Sequence, residues 1–200
     1  MVIIDDGKGT GKKAEINLNN QMRVRATSHD EEHFATSTDE QSYQVSSSQE
    51  PGVPSLTFAN TNVGDVMNIK NIGTIDLIIT SIVASADAAG GVLSIYKNKV
   101  TDTLTQNIPV TPTNLNFGSA KTSTTEVDIW DETNGDGIQG LTGGDLMRSE
   151  VIGTNEVIVT NGAVLIPQGK SLTINYSNNT GSAIEFECGL RYYFDTSISI

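Results

Sequence analysis

The sequence predicts an all-β protein, an antiparallel β-sandwich of the jelly-roll kind that follows an extended N-terminal arm. Thr, Ser, Asn and Gly are abundant, whereas the helix formers Ala, Leu, Lys and Glu are sparse. From residue 51 onward, short apolar segments recur at regular intervals, and turn residues separate nearly every pair of them. No segment shows the period of 3.6 residues that an amphipathic helix requires. We therefore divide the chain into an arm, residues 1–50, and a sandwich domain, residues 51–200.

The arm is predicted from its shortage of large apolar side chains and from its uneven charge. Its first 25 residues hold five basic and three acidic residues, and the next 25 hold six acidic residues and no basic one. Because little apolar surface is available to offset the lost entropy, we expect the arm to become ordered only against another surface. Within it, "AEINLNNQMRVRA" predicts an edge hairpin with its turn at Asn19-Asn20. The basic residues that we assign to assembly are Lys8, Lys12, Lys13, Arg23 and Arg25.

The glycine-rich stretch "DDGKGTGKKAE", residues 5–15, resembles a phosphate-binding loop but fails two of its requirements. The position six residues before Lys12 is Asp6 instead of Gly, and the position after it is Lys13 instead of Ser or Thr. Both matter, because the loop's backbone N–H groups must close around the phosphates and the hydroxyl must reach the magnesium ion. We therefore predict no nucleotide site, and the glycines suit a flexible or strand-entry segment.

The sandwich domain is predicted from about ten short strands. In chain order these predicted strands are 55–60, 65–72, 75–84, 91–97, 114–119, 125–130, 155–160, 163–167, 171–177 and 183–194. The last one alternates strictly, so that every second residue from Ile184 to Phe194 is apolar and faces one way. Between two other apolar runs, Asn161-Gly162 predicts a two-residue hairpin turn.

One predicted strand, "IDLIITSIVA" at residues 75–84, is apolar on both faces. A strand with one face in water should alternate instead, so this segment is either central in the sandwich or covered by another subunit. The sequence leaves both alternatives open. For the second, the candidate subunit-interface residues are Ile75, Leu77, Ile78, Ile79 and Ile82.

The net charge of −12 limits the classes of partner. We predict no nucleic-acid partner, because neutralising phosphates requires clustered Lys and Arg, and we predict no membrane partner, because an acidic surface repels anionic lipid. No apolar run approaches the roughly 20 residues of a transmembrane helix. The first residues also lack the basic and apolar regions of a signal peptide, so we expect that export through a Sec-type route is not required.

A calcium-like loop is the one candidate for a bound ion. In "DETNGDGIQG", residues 131–140, Asn134, Asp136 and Gly137 match three positions of the EF-hand pattern. The bidentate Glu that ends the pattern is missing, so a long turn is the simpler interpretation. The alternative is an irregular Ca²⁺ site formed by Asp131, Asn134 and Asp136. No other cofactor is predicted.

No catalytic constellation is visible, so we predict that the chain is not an enzyme. "SHDEEHF" places His29 and His33 four residues apart, but Asp30 stands where the zinc-protease motif has Glu, and the chain has no third His. The single cysteine, Cys188, is on the inward face of the last predicted strand and is expected in the core. Trp130, beside the calcium-like loop, is expected to pack at the rim, although it could instead stack on a sugar.

Several motifs along the chain resemble one family. The segment "GTGKKAEINLNNQMRVRA" is followed by a Ser/Thr-rich linker and "QSYQVSSS", and then by "MNIKNIGTIDLIITSI", "NLNFGSAKT" and "LIPQGKSLTINYS". With these motifs the chain resembles tailed-bacteriophage virion structural proteins of the jelly-roll, capsid-decoration or head-fibre type. The resemblance covers most of the chain, and it transfers no catalytic residue.

The resemblance implies a homotrimer that is made in the host cytoplasm and incorporated into the virion beside other virion proteins, such as the major capsid protein. Together with the arm, it leads to the hypothesis of a capsid decoration or cement protein whose arm, from Lys8 to Tyr43, contacts the shell or adjacent subunits. The alternative is a fibre or tail module that recognises a host surface glycan. Its site would lie between Trp130 and Asp145.

Overall fold

A computed structural model of the chain describes residues 2–5, 13–16, 22–23, 42–47, 56–59, 62–132, 136–154 and 157–194. Residues 2–5, 13–16, 22–23, 100–102 and 157–163 are described by their backbone alone. The described residues are mostly β-strand and contain no α-helix, which confirms the all-β class. Accordingly, this part of the chain has no helix that could cross a membrane. The chain divides into two compact units, Met1–Glu32 and His33–Ile200.

The N-terminal unit contains a three-stranded antiparallel sheet. Its strands are β1 (Val2–Asp5), β2 (Lys13–Ile16) and β3 (Met22–Arg23), with β2 in the middle. Ile16 lies opposite Met22 in the register, so the two predicted strands pair as β2 and β3, and the predicted turn at Asn19-Asn20 lies outside the described residues. Asp5 lies opposite Lys13 in the β1–β2 pair. The glycine-rich stretch at residues 5–15 therefore joins two antiparallel strands of one sheet.

The second unit is a sandwich of two antiparallel sheets, as predicted. Its strands are β4 (Ser42–Ser46), β5 (Leu56–Phe58), β6 (Val63–Asn71), β7 (Leu77–Ala86), β8 (Gly91–Lys97), β9 (Val100–Thr105), β10 (Asn107–Pro109), β11 (Thr113–Asn114), β12 (Thr125–Trp130), β13 (Gln139–Thr142), β14 (Asp145–Ile152), β15 (Val157–Ile166), β16 (Ser171–Ser177) and β17 (Ile184–Phe194). Sheet A has the order β10-β12-β6-β16-β8-β14. Sheet B has the order β11-β4-β17-β7-β15, with β5 also paired to β17, and β9 pairs with β13 in a small separate sheet.

The hydrophobic core lies between the inner faces of sheets A and B. In β17 every second residue from Ile184 to Phe194 is buried, which confirms the predicted alternation and register. Across the core, the Tyr176 ring of sheet A stacks on the Phe186 ring of sheet B, with centroids 4.2 Å apart. Burying a large apolar side chain stabilises the fold by about 1.5–3 kcal/mol, so the alternation of β17 determines which face meets sheet A.

The sandwich begins earlier than the sequence predicted. β4 pairs with both β17 and β11, and its Tyr43 and Val45 are 1% and 0% exposed in the core. The boundary between residues 50 and 51 is therefore wrong, and Tyr43 does not belong to the arm. The two apolar residues of "SYQVS" alternate as a strand requires. The residues before them are acidic and rich in Ser and Thr, a composition that favours disorder, and for this reason the sequence predicted an arm here.

The predicted hairpin turn at Asn161-Gly162 is also wrong. β15 runs through both residues as one strand, and its register with β7 shifts between Asn161 and Val164. Such a shift is a β-bulge, and glycine within a strand marks bulges as well as turns. β7 has ten residues, which is long enough to pair with the segments on both sides of the bulge.

The strand that is apolar on both faces is internal in sheet B. β7 lies between β17 and β15, so the first of the two alternatives explains its composition. Leu77, Ile79 and Ile82 face sheet A and belong to the core of their own chain. The prediction that these three residues form a subunit interface is therefore wrong. Ile78 is also buried. Only Ile75 of the five predicted residues keeps partial exposure, at the margin of the core.

The two lateral sides of the sandwich are built differently. On the short-edge side, the edge strands β10 and β11 have three and two residues, and the chain passes from sheet A to sheet B between them. On the long-edge side, the edge strands β14 and β15 have eight and ten residues. A free edge can pair with another chain, so these two sides are where the sandwich needs protection.

Candidate functional site

The calcium-like loop is only partly within the described residues, because Asn134 lies outside them. Of the other two candidate ligands, Asp131 follows β12, and the exposed Asp136 accepts a hydrogen bond from the Asn62 amide. Within the described ranges, no three His, Cys, Asp or Glu side chains form a group that could hold a metal ion. A Ca²⁺ site at this loop therefore stays a prediction.

Trp130 lies in the core and not at the rim. Its side chain is 2% exposed, and its ring centroid is 4.8 Å from that of Phe58. A sugar cannot stack on an indole that the protein already covers on this scale. The glycan alternative therefore loses the aromatic residue on which it depended.

The basic residues assigned to assembly belong to the N-terminal unit. Lys13 lies in β2 and Arg23 lies in β3, opposite Glu15 in the register. Lys8, Lys12 and Arg25 lie outside the described residues, as do His29 and His33. Their role in assembly stays a prediction.

Cys188 is a core residue, as predicted. Its side chain is buried in β17, and burial raises the pKa of its thiol to about 12. Its backbone N–H donates to the Ser47 hydroxyl at 3.0 Å. A thiol with so high a pKa carries almost no nucleophilic thiolate at neutral pH.

A buried polar cluster lies on the outer face of sheet A. The carboxylate of Asp65 accepts hydrogen bonds from Lys99 Nζ at 2.7 and 2.8 Å and from Asn175 Nδ2 at 2.9 Å. Beside it, the fully buried Thr173 donates to Asn68 at 3.0 Å. Every one of these groups has a partner, which is the pattern of a structural clamp and not of a poised acid or base.

Two neighbouring carboxylates on β12 are the next candidates for an acid–base pair. Glu126 and Asp128 share one face of the strand, and burial raises the pKa of the Asp128 carboxyl. Asn107 donates to Asp128 at 2.6 Å, and Lys70 lies 3.7 Å from Glu126. Both carboxylates are thus occupied by neighbours on the strands beside β12, and we assign them a structural role.

The most unusual surface is the loop that follows β11 on the short-edge side. Phe117 at its tip is 95% exposed, whereas the other phenylalanines described, Phe58, Phe186 and Phe194, are buried. The predicted strand over residues 114–119 is wrong, because the strand ends at Asn114. The residues "NFGS" were the available signal, since Asn, Gly and Ser together favour a turn.

Hydrogen bonds within the loop define how it holds Phe117. The Asn114 side chain accepts from the Asn116 N–H at 2.8 Å and donates to the Lys121 carbonyl at 3.1 Å, so it ties the two ends together. The Ser119 N–H donates to the Asn116 carbonyl at 2.9 Å and closes the turn around Phe117. The aromatic ring is therefore presented to solvent by an ordered loop.

A recess of mixed polarity lies beside this loop. It has a volume of about 580 Å³ and is formed between residues 72–75 and residues 120–124. Ile72, Ile75, Ala120 and Phe194 supply its apolar lining, and the rest comes from Gly73, Thr74, Lys121, Thr122 and Thr124. Ile72 is 48% exposed, so apolar surface is accessible at the rim as well. We call the loop of residues 114–121 together with this recess the Phe117 surface, and it is the candidate functional site.

Comparison with family models, with curated proteins and with solved structures found no match to this chain. The assignment of a function therefore depends on the chain's own residues and geometry.

Proposed function

We propose that the protein is a structural component of a tailed-phage virion, a capsid decoration or cement protein that assembles as a homo-oligomer, with a trimer as the expected form. The N-terminal unit docks on the shell or on an adjacent subunit, such as the major capsid protein, and the sandwich supplies the rigid body. No catalytic step and no cofactor are assigned to it. The protein is made in the host cytoplasm and resides in the virion.

The observation that carries this proposal is the division of the chain into two compact units. The first 25 residues contain five bases and three acids, in a chain whose net charge is −12. The unit as a whole, Met1–Glu32, holds five bases and six acids, but all five bases lie in its first 25 residues, and this segment suits docking on an acidic neighbour. The resemblance of the sequence motifs to virion structural proteins is the second support, and two of these motifs, "MNIKNIGTIDLIITSI" and "LIPQGKSLTINYS", fall on β6, β7, β15 and β16.

The test is to delete residues 1–38 from the protein and to measure its binding to particles of the phage that encodes it. This deletion ends before β4, because a longer one would remove Tyr43 and Val45 from the core. We expect the truncated protein to keep the melting temperature of the sandwich. We also expect it to lose binding to phage particles that were prepared without the protein. Full-length protein is the positive control, and bound protein is quantified after sedimentation of the particles.

Two results would contradict the proposal at different levels. If the truncated protein joins particles as well as the full chain does, docking through the N-terminal unit is wrong. If mass spectrometry of purified virions finds none of the protein, the virion assignment itself is wrong. Glycan binding is the remaining alternative, and a Ca²⁺-dependent signal on host polysaccharide arrays would favour it.

A further inference from the structure

We propose that the buried polar cluster on the outer face of sheet A cross-links itself, through an amide bond between the side chains of Lys99 and Asn175, with Asp65 carrying the proton. The groups of this cluster are partnered by one another, so the reaction is between its own members. It takes place once in each chain and consumes no external substrate. The inference goes beyond the proposed function and does not depend on it.

The first argument is that one carboxylate oxygen holds both reacting groups. Oδ1 of Asp65 accepts a hydrogen bond from Lys99 Nζ at 2.7 Å and another from Asn175 Nδ2 at 2.9 Å. The amine and the amide are therefore held side by side, and such positioning is what makes a reaction within one molecule fast. An ion pair needs only Lys99 and Asp65, and Asn175 is the third group that an amide bond requires.

The second argument is that the backbone fixes these three residues. Asp65 of β6 lies opposite Asn175 of β16 in the register, beside a register shift. Asn98 has a φ of 54°, a left-handed value that asparagine tolerates, and it turns the chain after β8. The Asn98 N–H donates to the Ser171 carbonyl at 2.9 Å, so the turn is tied to β16. Lys99 is thus held where its side chain reaches β6.

The third argument is the exclusion of water. The side chains of Lys99 and Asp65 are 11% and 7% exposed, and Lys99 Nζ lies 4.5 Å from the centroid of the Tyr96 ring. Removing a charged pair from water is costly, and the attraction between the charges repays this cost only in part. When the proton passes from the ammonium group to the carboxylate, both buried charges disappear. The lysine is then an uncharged amine, which is its nucleophilic form.

The reaction balances within the chain. After the proton has passed from Lys99 to Asp65, Nζ attacks Cγ of Asn175 and a new C–N bond forms. Asp65 then protonates Nδ2, which lies 2.9 Å from it, as the bond between Cγ and Nδ2 breaks. The nitrogen leaves as ammonia and takes the remaining proton by way of Asp65, so that ammonium departs and the carboxylate is restored. Nothing is oxidised or reduced.

The bond has a structural consequence that the chain cannot obtain in another way. It joins the segment after β8 to β16, at residues 99 and 175, and so closes a long loop of the chain. Closing a long loop restricts the unfolded chain, as a disulfide does. The chain has a single cysteine, the buried Cys188, and cannot form a disulfide within itself.

The experiment is intact-mass spectrometry of the purified full-length chain. We expect the wild type to weigh one molecule of ammonia less than its sequence requires. Lys99→Arg keeps a positive charge beside Asp65, but a guanidinium group stays protonated and does not attack, so this variant should have its full sequence mass. Lys97→Arg is the matched control, because Lys97 is exposed and pairs with Asp145 at 3.4 Å, and it should lose ammonia as the wild type does.

Tryptic digestion locates the bond. Trypsin does not cleave after a cross-linked lysine, so residues 98–121 should be found joined to residues 171–191, the peptide that contains Asn175. Asn175→Ala should abolish both the joined peptide and the loss of ammonia. Asp65→Ala keeps both reacting side chains, and we expect it to form the bond slower by a factor of about 100 or more, the usual contribution of general acid–base catalysis.

Two results would overturn the inference. The first is a wild-type chain that still has its full sequence mass after prolonged incubation at neutral pH. The second is a loss of ammonia that persists in Lys99→Arg, because succinimide formation at an Asn-Gly pair such as Asn161-Gly162 gives the same change in mass. Neither result bears on docking to the virion, which the deletion of residues 1–38 decides.

Discussion

The short-edge and long-edge sides of the sandwich protect themselves in different ways. On the short-edge side, β10 and β11 are only three and two residues long, and Pro109 and Pro112 remove backbone N–H groups from the crossing. On the long-edge side, β14 and β15 are long, and each contains a register shift that interrupts its edge. Arg148 and Glu150 form an ion pair there, opposite the core residues Ile95 and Leu93, so both charges face inward.

This difference indicates which side can accept a partner. Inward charges and bulges prevent a further strand from adding to the long edge, although Leu146, Met147 and Leu165 are exposed around it. The short-edge side has no need of such charges, because it offers little backbone to pair with. It can therefore carry the Phe117 surface, whose one charged residue is Lys121, without the risk of edge-to-edge aggregation.

The largest effect is expected for Gly91→Ala beside the long edge. Gly91 pairs with Ile152 of β14, and an added Cβ would overlap the buried hydroxyl of Tyr176. We expect a loss of about 3 kcal/mol or more in the free energy of unfolding, measured by urea titration. Gly118→Ala in the Phe117 loop is the control and should change less than about 0.5 kcal/mol, since its Cβ would meet only ordinary contacts. Equal losses at the two glycines would show that the overlap is relieved by movement of Tyr176.

High pH should lower the stability of the whole sandwich, because ionisable groups are buried in its core. Burial raises the pKa of Cys188, Tyr176 and Tyr192 to about 12 each, from ordinary values of 9.0 for the thiol and 10.0 for the phenols. A raised pKa contributes stability that is complete below the unfolded-state pKa and is lost as pH rises towards the folded-state pKa. The free energy of unfolding should thus begin to fall near pH 9 and should be lower by about 2 kcal/mol or more at pH 11. A flat profile from pH 8 to 11 would contradict this.

Two Tyr→Phe variants compare the sides directly. The Tyr192 hydroxyl, near the short edge, lies 2.8 Å from Ser123 Oγ and 3.0 Å from Thr125 Oγ1. The buried Tyr176 hydroxyl has no hydrogen-bond partner among the described residues. We expect Tyr192→Phe to cost about 1 kcal/mol and Tyr176→Phe to be neutral or stabilising, by urea titration at pH 7. The reverse order would mean that a bound water satisfies Tyr176.

The smallest effect on stability is expected for the inward ion pair. Replacing Arg148 and Glu150 together by leucine should change the free energy of unfolding by less than about 1 kcal/mol, because both side chains are partly exposed. The same change should increase aggregation, seen as scattered light at high protein concentration, since the long edge loses its inward charges. The matched control makes the same leucine replacements at Lys70 and Glu126, an exposed ion pair on sheet A, and this variant should not aggregate. Equal aggregation of both variants would mean that losing two charged side chains is sufficient and that their inward position on the long edge does not matter.

The sequence predicted the sandwich because alternation is a local property of a strand. β16 and β17 could be assigned from their alternation, and the inward position of Cys188 followed from it. The same locality explains the failures. Asn161-Gly162 is compatible with a turn and with a bulge, and only the length of the partner strand β7 decides between them. β14 was missed because its exposed edge position removes the apolar alternation that identifies a strand.

The candidate site could be predicted only in part. Trp130 was predicted at the rim because the residues after it are polar. Its burial depends on Phe58 of β5, which is distant in the sequence and packs against it only in the folded chain. The role of "NLNFGSAKT" was hidden because a phenylalanine within an alternating segment favours a strand. The recess combines residues 72–75, residues 120–124 and Phe194, and nothing in the sequence brings these segments together before the sheets pack.

The place of β17 in sheet B has a consequence for how the protein is made. It is the last of the described strands, yet it pairs with β4, β5 and β7. A ribosome must therefore synthesise the chain up to about Phe194 before sheet B can close, and until then the apolar strand β7 lacks one neighbour. Pairings between such distant segments fold slowly and leave apolar strands open to aggregation in the meantime. A premature stop within β17 should therefore prevent sheet B from forming.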